Sequence, residues 1–177
     1  FAFWDGDART LTLARDRLGI KPMYWAEADG LFLFGSELKA LRAHPDWRPE
    51  LDRDALAAYA RLSYVPAPRC IWRGARKLEP GTVLTLGAGR TGITRYWDMA
   101  DIAAQERPPV SMQEAADGLE TLLVKAISRR LVSDVPLGVF LAGGIDSAVV
   151  AALAQSQRAD PLKTFTVGFA EADYDEA

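Results

Sequence analysis

Two hydrophobic rhythms divide this chain. Up to about residue 97, apolar positions come in short β-rich runs: Phe1-Ala2-Phe3-Trp4, Thr10-Leu11-Thr12-Leu13, Met23-Tyr24-Trp25 and Leu31-Phe32-Leu33-Phe34. Turn signals at Asp5-Gly6-Asp7 and Asp29-Gly30 separate them, so the pattern predicts antiparallel strands. Ser36 is placed to cap a short helix over residues 37–42, closed by Pro45. Asp52 is a second expected N-cap, with Leu56, Tyr59, Ala60 and Ser63 on one helical face ahead of the Pro66-Ala67-Pro68 break. Residues 64–81 read as a loop-rich connection. A last hairpin is expected from Thr82-Val83-Leu84-Thr85-Leu86, a glycine turn over 87–92, and Ile93-Thr94-Arg95-Tyr96-Trp97.

From about 98 to 110 the pattern lapses into polar residues and Pro108-Pro109, which reads as a linker. The rhythm then changes. Ser111-Met112-Gln113-Glu114 is a capping box, and Ala115, Leu119, Leu122, Leu123, Ala126, Ile127 and Leu131 follow at helical spacing for about five turns. A buried-strand run, Leu137-Gly138-Val139-Phe140-Leu141, leads through a glycine turn to a helix over 147–154 and a second strand, Lys163-Thr164-Phe165-Thr166-Val167. Strand, helix, strand at this spacing predicts a right-handed βαβ unit of a parallel sheet. The expected class is therefore α+β followed by α/β, with domains at 1–97 and 98–177.

Composition narrows the function classes. In 177 residues, 49% hydrophobic and 25% charged is the balance of a soluble globular protein with a buried core. A net charge of −3 supplies no basic field, which disfavours a nucleic-acid or polyanion binder. Cys70 is the one cysteine and His44 the one histidine, so an intrachain disulfide framework and a Cys/His zinc cage are both excluded. A reducing, cytoplasmic setting is expected. No apolar run approaches the roughly 20 residues that span a bilayer, and no basic-then-apolar leader opens the chain. Phe1 is not an initiator methionine and stands inside an expected strand, so the missing leader carries little weight.

The candidate chemistry sits at Leu141-Ala142-Gly143-Gly144-Ile145-Asp146-Ser147. A glycine pair directly after a buried strand and before a helix gathers backbone amides at the positive end of that helix, which suits an anion. Glycines allow the positive φ angles of an amide nest and let a phosphate approach the backbone. The spacing is neither the Walker pattern nor Gly-x-Gly-x-x-Gly. Asp146 would repel a pyrophosphate by several kcal/mol unless a cation lay between them, and magnesium is the natural bridge. Ser147 offers a hydroxyl either to phosphate or to its own backbone. Taken alone, the motif equally suits a plain strand-to-helix turn in which Asp146 and Ser147 merely cap.

The seven residues resemble the Ser-Gly-Gly-x-Asp-Ser loop of the ATP pyrophosphatase superfamily, to which asparagine, GMP, NAD and argininosuccinate synthetases belong. Ala142 departs from it, standing where that family usually has serine. Leu13-Ala14-Arg15-Asp16-Arg17-Leu18-Gly19-Ile20-Lys21-Pro22-Met23-Tyr24 and Ser36-Glu37-Leu38-Lys39-Ala40-Leu41 resemble the class II glutamine amidotransferase domain, which GMP and NAD synthetases lack. Joined to Ser133-Asp134-Val135-Pro136-Leu137-Gly138-Val139-Phe140 and Thr164-Phe165-Thr166-Val167-Gly168-Phe169, the whole resembles glutamine-hydrolysing asparagine synthetases.

That resemblance implies the C-terminal part of an N-terminal-nucleophile glutaminase sandwich followed by the start of a parallel-sheet ATP-pyrophosphatase domain. It implies a ligase in which glutamine supplies ammonia, ATP adenylates the β-carboxylate of aspartate, and ammonia attacks the β-aspartyl-AMP. The cytoplasmic full-length protein would use ATP, Mg2+, aspartate and glutamine as small molecules, with no nucleic acid or membrane, and form a homodimer. The nucleophilic cysteine of the family opens its mature chain; no residue here takes that catalytic role, and Cys70 reads as an ordinary thiol. Phe140, Leu141, Ala142, Gly143, Gly144, Asp146, Ser147 and Val167 are the implied ATP-binding residues and Asp146 the metal ligand, with Phe140 and Val167 equally readable as strand core. Arg15, Asp16 and Arg17 are expected to form a structural ion-pair cluster, Lys21 and Lys39 to be solvated, and His44 to carry no chemistry. Tyr174-Asp175-Glu176 resembles a further family segment. Alternatives left open are a related amidotransferase or β-lactam-synthetase-like ligase acting on another carboxylate, or a catalytically silent chain with a structural role. The chain by itself is expected to be inactive.

Overall fold

The computed structural model describes residues 1–28, 30–106 and 108–171. Along them run β1 (Ala2–Asp5), β2 (Thr10–Ala14), β3 (Tyr24–Ala28), β4 (Leu31–Gly35), α1 (Leu38–Arg42), α2 (Arg53–Leu62), β5 (Ala75–Lys77), β6 (Thr82–Gly87), β7 (Arg90–Arg95), α3 (Met99–Ala103), α4 (Met112–Ser128), β8 (Gly138–Phe140), α5 (Ile145–Ser156) and β9 (Lys163–Phe165). They belong to two compact units, Phe1–Glu106 and Arg107–Ala177. Asp29 of the expected Asp29-Gly30 turn, and the Tyr174-Asp175-Glu176 segment, lie outside the described residues.

The first unit holds two antiparallel sheets, ordered β1-β2-β6-β7 and β4-β3-β5. Alternation along the strands explains why they share a core. Leu11 and Leu13 of β2 and Leu84 and Leu86 of β6 meet Trp25 of β3 and Phe32 of β4, around Met23 and Leu78. The next residue of β3, Ala26, faces the other way, into a second cluster with Leu41 of α1, Trp47, Cys70 and Ala75. The β1–β2 turn is closed by Asp5, whose carboxylate accepts the amides of Asp7 (3.0 Å) and Ala8 (2.9 Å).

Several local expectations are corrected here. Ser36 does not cap α1; the N-cap is Glu37, whose carboxylate pairs with Lys39 at 2.6 Å instead of bonding the helix. Asp52 does cap α2, accepting from the amides of Asp54 and Ala55. The buried member of α2 is Ala55, however, while Leu56 and Tyr59 are 44% and 52% exposed. Their face borders a groove with Leu51, Val65 and Ile71 in place of a core. Ser63 ends the helix in the left-handed region, φ 62°. The expected turn over 87–92 is only two residues long, because Ala88 (φ 49°) and Gly89 (φ 71°) both take left-handed backbone and let Gly87 face Arg90. The loop-rich stretch carries β5, which pairs with β3, and the polar stretch after 97 carries α3, capped by Asp98.

In the second unit the Ser111–Glu114 capping box is complete: the Ser111 hydroxyl accepts the Glu114 amide at 3.2 Å and Glu114 accepts the Ser111 amide at 2.8 Å. The helix it opens ends at Ser128, so Leu131 lies beyond it. Ile127 is buried, whereas Leu119 and Leu122 are exposed. α4 packs on α5, where Ala154 is buried and the Gln157 side-chain amide reaches the carbonyls of Val124 and Leu153. β8 and β9 pair in parallel, Gly138 opposite Lys163 and Phe140 opposite Phe165, on either side of α5 in the chain. No helix among the described residues is long and apolar enough to cross a membrane.

Candidate functional site

The loop between β8 and α5 is fixed at both ends by hydrogen bonds. On the strand side the Leu141 amide donates to Phe165 O at 2.9 Å and the Thr166 hydroxyl donates to Leu141 O at 2.7 Å. On the helix side the Ser147 hydroxyl accepts the Ala142 amide at 3.1 Å and donates its one proton to Ala142 O (2.9 Å) or Gly144 O (3.1 Å). Ser147 thus takes up both backbone groups of Ala142. Gly144 is the N-cap of α5 and, lacking a side chain, caps nothing; helix residues start at Ile145, two positions earlier than the pattern suggests.

What remains unspent is a run of donors. The amides of Gly143, Gly144, Ile145 and Asp146 have no partner among the described residues, and the last two belong to the first turn of a twelve-residue helix. Aligned peptide dipoles make this a positive end, attractive to an anion. The expected left-handed glycine nest is corrected: Gly144 has φ −82° and ψ 156°, and the described glycines with positive φ are Gly19, Gly30, Gly74, Gly81 and Gly89. The loop therefore presents its amides from a bend and the first helical turn, with Gly144 in extended backbone between them. A Cβ built on Gly144 would meet nothing within 4 Å, so the space in front of it is open.

Asp146 is exposed in the first turn of α5, where a carboxylate is favoured by the dipole. No group of three or more His, Cys, Asp or Glu gathers into a ligand set among the described residues. A carboxylate outside any such set fits magnesium, which completes its shell with water and substrate phosphate oxygens, better than a protein-caged metal. Phe140 and Val167 are 76% and 60% exposed, so neither is core in this unit. The Phe140 ring lies 6.5 Å from that of Phe165, whose own edge fills the place where a Gly138 side chain would be. Leu141 and Ala142 are half-buried. The structure thus brings Leu141, Ala142, Gly143, Gly144, Asp146 and Ser147 together, with Phe140 at the exposed end of β8 and Val167 two residues past the end of β9, which stops at Phe165 and not at the expected 167. Thr166, which anchors the loop from β9's end, carries no signal in the sequence beyond strand alternation.

In the first unit the expected ion-pair cluster is absent. The Arg15 guanidinium donates to three carbonyls, Lys21 O (3.1 Å), Leu78 O (2.5 Å) and Gly19 O (2.9 Å), while Asp16 accepts the amides of Ile20 (2.9 Å) and Lys21 (3.0 Å). No ion pair among the described residues involves Arg15, Asp16 or Arg17. The charges organise backbone and not each other. The Lys21 amide is the main cause holding the Asp16 carboxyl below its ordinary value. Cys70 is packed in the second core cluster, where burial pushes its thiol up. His44 Nδ1 accepts the Asp46 amide at 3.3 Å, a local turn contact.

Comparison with known proteins follows the same division. The family model of the glutamine amidotransferase domain matches residues 1–97, and that of asparagine synthase matches residues 118–177. The chain is 35% identical over 178 residues to asparagine synthetase [glutamine-hydrolyzing] 3 of Bacillus subtilis, covering 98% of this chain and 28% of that protein. It is 37% identical over 182 residues to a putative asparagine synthetase [glutamine-hydrolyzing] of Mycobacterium tuberculosis, covering 99% and 28%. A putative asparagine synthetase [glutamine-hydrolyzing] 2 of Methanocaldococcus jannaschii is 33% identical over 181 residues, covering 99% and 34%. The chain spans about a third or less of the length of these relatives. With more than half its length inside the first of the two matched models, the chain belongs to the glutamine amidotransferase domain family, joined to sequence of the asparagine synthase family.

Proposed function

We propose that this chain is part of an ATP-dependent ligase that converts aspartate to asparagine with ammonia drawn from glutamine. The observation that carries the reading is the run of unspent amides at Gly143, Gly144, Ile145 and Asp146 at the start of α5. The names of the relatives supply the substrate class. The first unit is read as part of an N-terminal-nucleophile glutaminase sandwich, and the second as the start of an ATP-pyrophosphatase domain with ATP-binding residues Phe140, Leu141, Ala142, Gly143, Gly144, Asp146, Ser147 and Val167.

The residues divide the work by chemistry. Free amides donate to phosphate oxygens, each bond to a charged acceptor contributing about 1.5–3 kcal/mol. Asp146, otherwise repulsive toward phosphate, would be the protein's carboxylate for Mg2+, whose charge would offset that of the pyrophosphate leaving group. The exposed Phe140 and Val167 supply apolar surface on which a base or ribose can rest. The aspartate β-carboxylate attacks the α-phosphorus of ATP, the bond to pyrophosphate breaks, and β-aspartyl-AMP forms. Ammonia then displaces AMP, leaving asparagine and a proton.

The test is aspartate-dependent exchange of labelled pyrophosphate into ATP by the full-length protein, followed by asparagine formation on adding ammonia or glutamine. Exchange that needs aspartate supports the reading. Exchange with other carboxylates but not aspartate, or none in an intact protein, refutes it.

A further inference from the structure

This inference rests on the nucleotide reading and concerns what the Ser147 hydroxyl does before a ligand arrives. We propose that Ser147 is a positioning residue that holds residues 142–144 in shape ahead of binding. Its oxygen accepts the Ala142 amide at 3.1 Å, and its single proton is shared between Ala142 O at 2.9 Å and Gly144 O at 3.1 Å. Gly144 O also accepts the Ala148 amide at 3.3 Å, whereas Ala142 is half-buried and its carbonyl has no other donor among the described residues, so losing this hydroxyl would leave that acceptor unpaired at a cost.

The clasp reaches from the first turn of α5 back over five residues to the exit of β8. Thr166 holds the preceding carbonyl, that of Leu141, from β9's end. Beyond these two ties, the amides of Gly143, Gly144, Ile145 and Asp146 are left without partners among the described residues. Ala142 contributes no hydroxyl of its own, and its amide is already taken. The direction in which the free amides point is therefore set by Ser147, and removing its oxygen should loosen the loop even with no nucleotide present.

The experiment measures amide hydrogen exchange over residues 140–148 in the nucleotide-free full-length protein, together with the ATP dissociation constant. It compares wild type, Ser147→Ala and Ser147→Thr. The expected result is that alanine raises exchange at Ala142 about tenfold or more and weakens ATP about tenfold, the scale of one hydrogen bond. Threonine, which keeps the oxygen, should restore both. Should the alanine variant fail to fold, Ser147→Cys keeps the shape with a poor hydrogen-bonding atom, and the same rise in exchange is expected. Unchanged ligand-free exchange in the alanine variant, whether ATP weakens or not, overturns the proposal. If wild type binds no ATP, the nucleotide reading falls, while the exchange arm still decides whether Ser147 holds the loop.

Discussion

Replacing Gly144 with alanine separates folding from binding at the loop. The residue has φ −82° and ψ 156°, backbone that alanine adopts freely, and the added Cβ meets nothing within 4 Å. Alanine is a poorer N-cap than glycine, by roughly 0.5–1 kcal/mol. Losing glycine from the unfolded chain returns about 0.4–1 kcal/mol. The two terms offset, so stability should change by less than about 1 kcal/mol, or some 2–4 °C in Tm for a protein of this size. Binding should not be spared. The methyl is added to the residue whose own amide and the next one, that of Ile145, both lack partners among the described residues, and it would hinder close approach of a phosphate to them. Loss of one such charge-assisted bond, about 1.5–3 kcal/mol, weakens ATP about ten- to hundredfold. Calorimetric titration with ATP and Mg2+, paired with thermal unfolding, reads both quantities. An alanine variant that folds and binds ATP like wild type would refute the placement of phosphate on these amides. A loss of several kcal/mol of stability would refute the claim of open space.

Other positions give independent tests. Asp146→Asn should abolish most of the Mg2+-dependent gain in ATP affinity and leave metal-free binding equal or slightly tighter; identical Mg2+ dependence in titrations of both proteins would contradict the metal role. Gly81→Ala should destabilise the first unit by more than the roughly 1 kcal/mol of a left-handed alanine, since φ is +65° and the new Cβ would stand 2.2 Å from Trp97 O; a Tm unchanged on scanning would count against the packing described. The Cys70 thiol, buried and pushed up in pKa, should react with a thiol reagent at pH 8 only on the timescale of opening or unfolding, and rapid native-state labelling would contradict its burial. Asp16 has a folded pKa below its unfolded one, chiefly through the Lys21 amide, so its stabilisation is complete above the unfolded value and lost as pH falls through the folded one. The Tm gap between wild type and Asp16→Asn should therefore shrink below about pH 4, and a gap independent of pH would speak against the assignment.

Features that depend on neighbours in the chain were legible in the sequence. Leu11, Leu13, Leu84 and Leu86 alternate because one face of their sheet lies on a shared core, and the Ser111–Glu114 box is closed by residues three apart. The glycine loop was visible as a motif for the same reason. Features that depend on distant partners were hidden. β5 is three residues long, too short for a period to show, and exists because it can pair with β3 some fifty residues earlier. Ala88 disguised a two-residue turn that more often carries asparagine at its first position. Arg15 beside Asp16 suggests charge pairing, yet its nearest acceptor is the carbonyl of Leu78, 63 residues away. At the loop, composition could not say which way the Ser147 hydroxyl turns, and that choice decides which amides remain for a ligand.

The most direct measurement is the change in backbone amide resonances of the full-length protein as Mg2+ and ATP are added. Large shifts of the Gly143, Gly144, Ile145 and Asp146 amides, with Ala142 moving little, are predicted. Saturable ATP binding that leaves those four resonances in place and shifts others would contradict the assignment of the phosphate site.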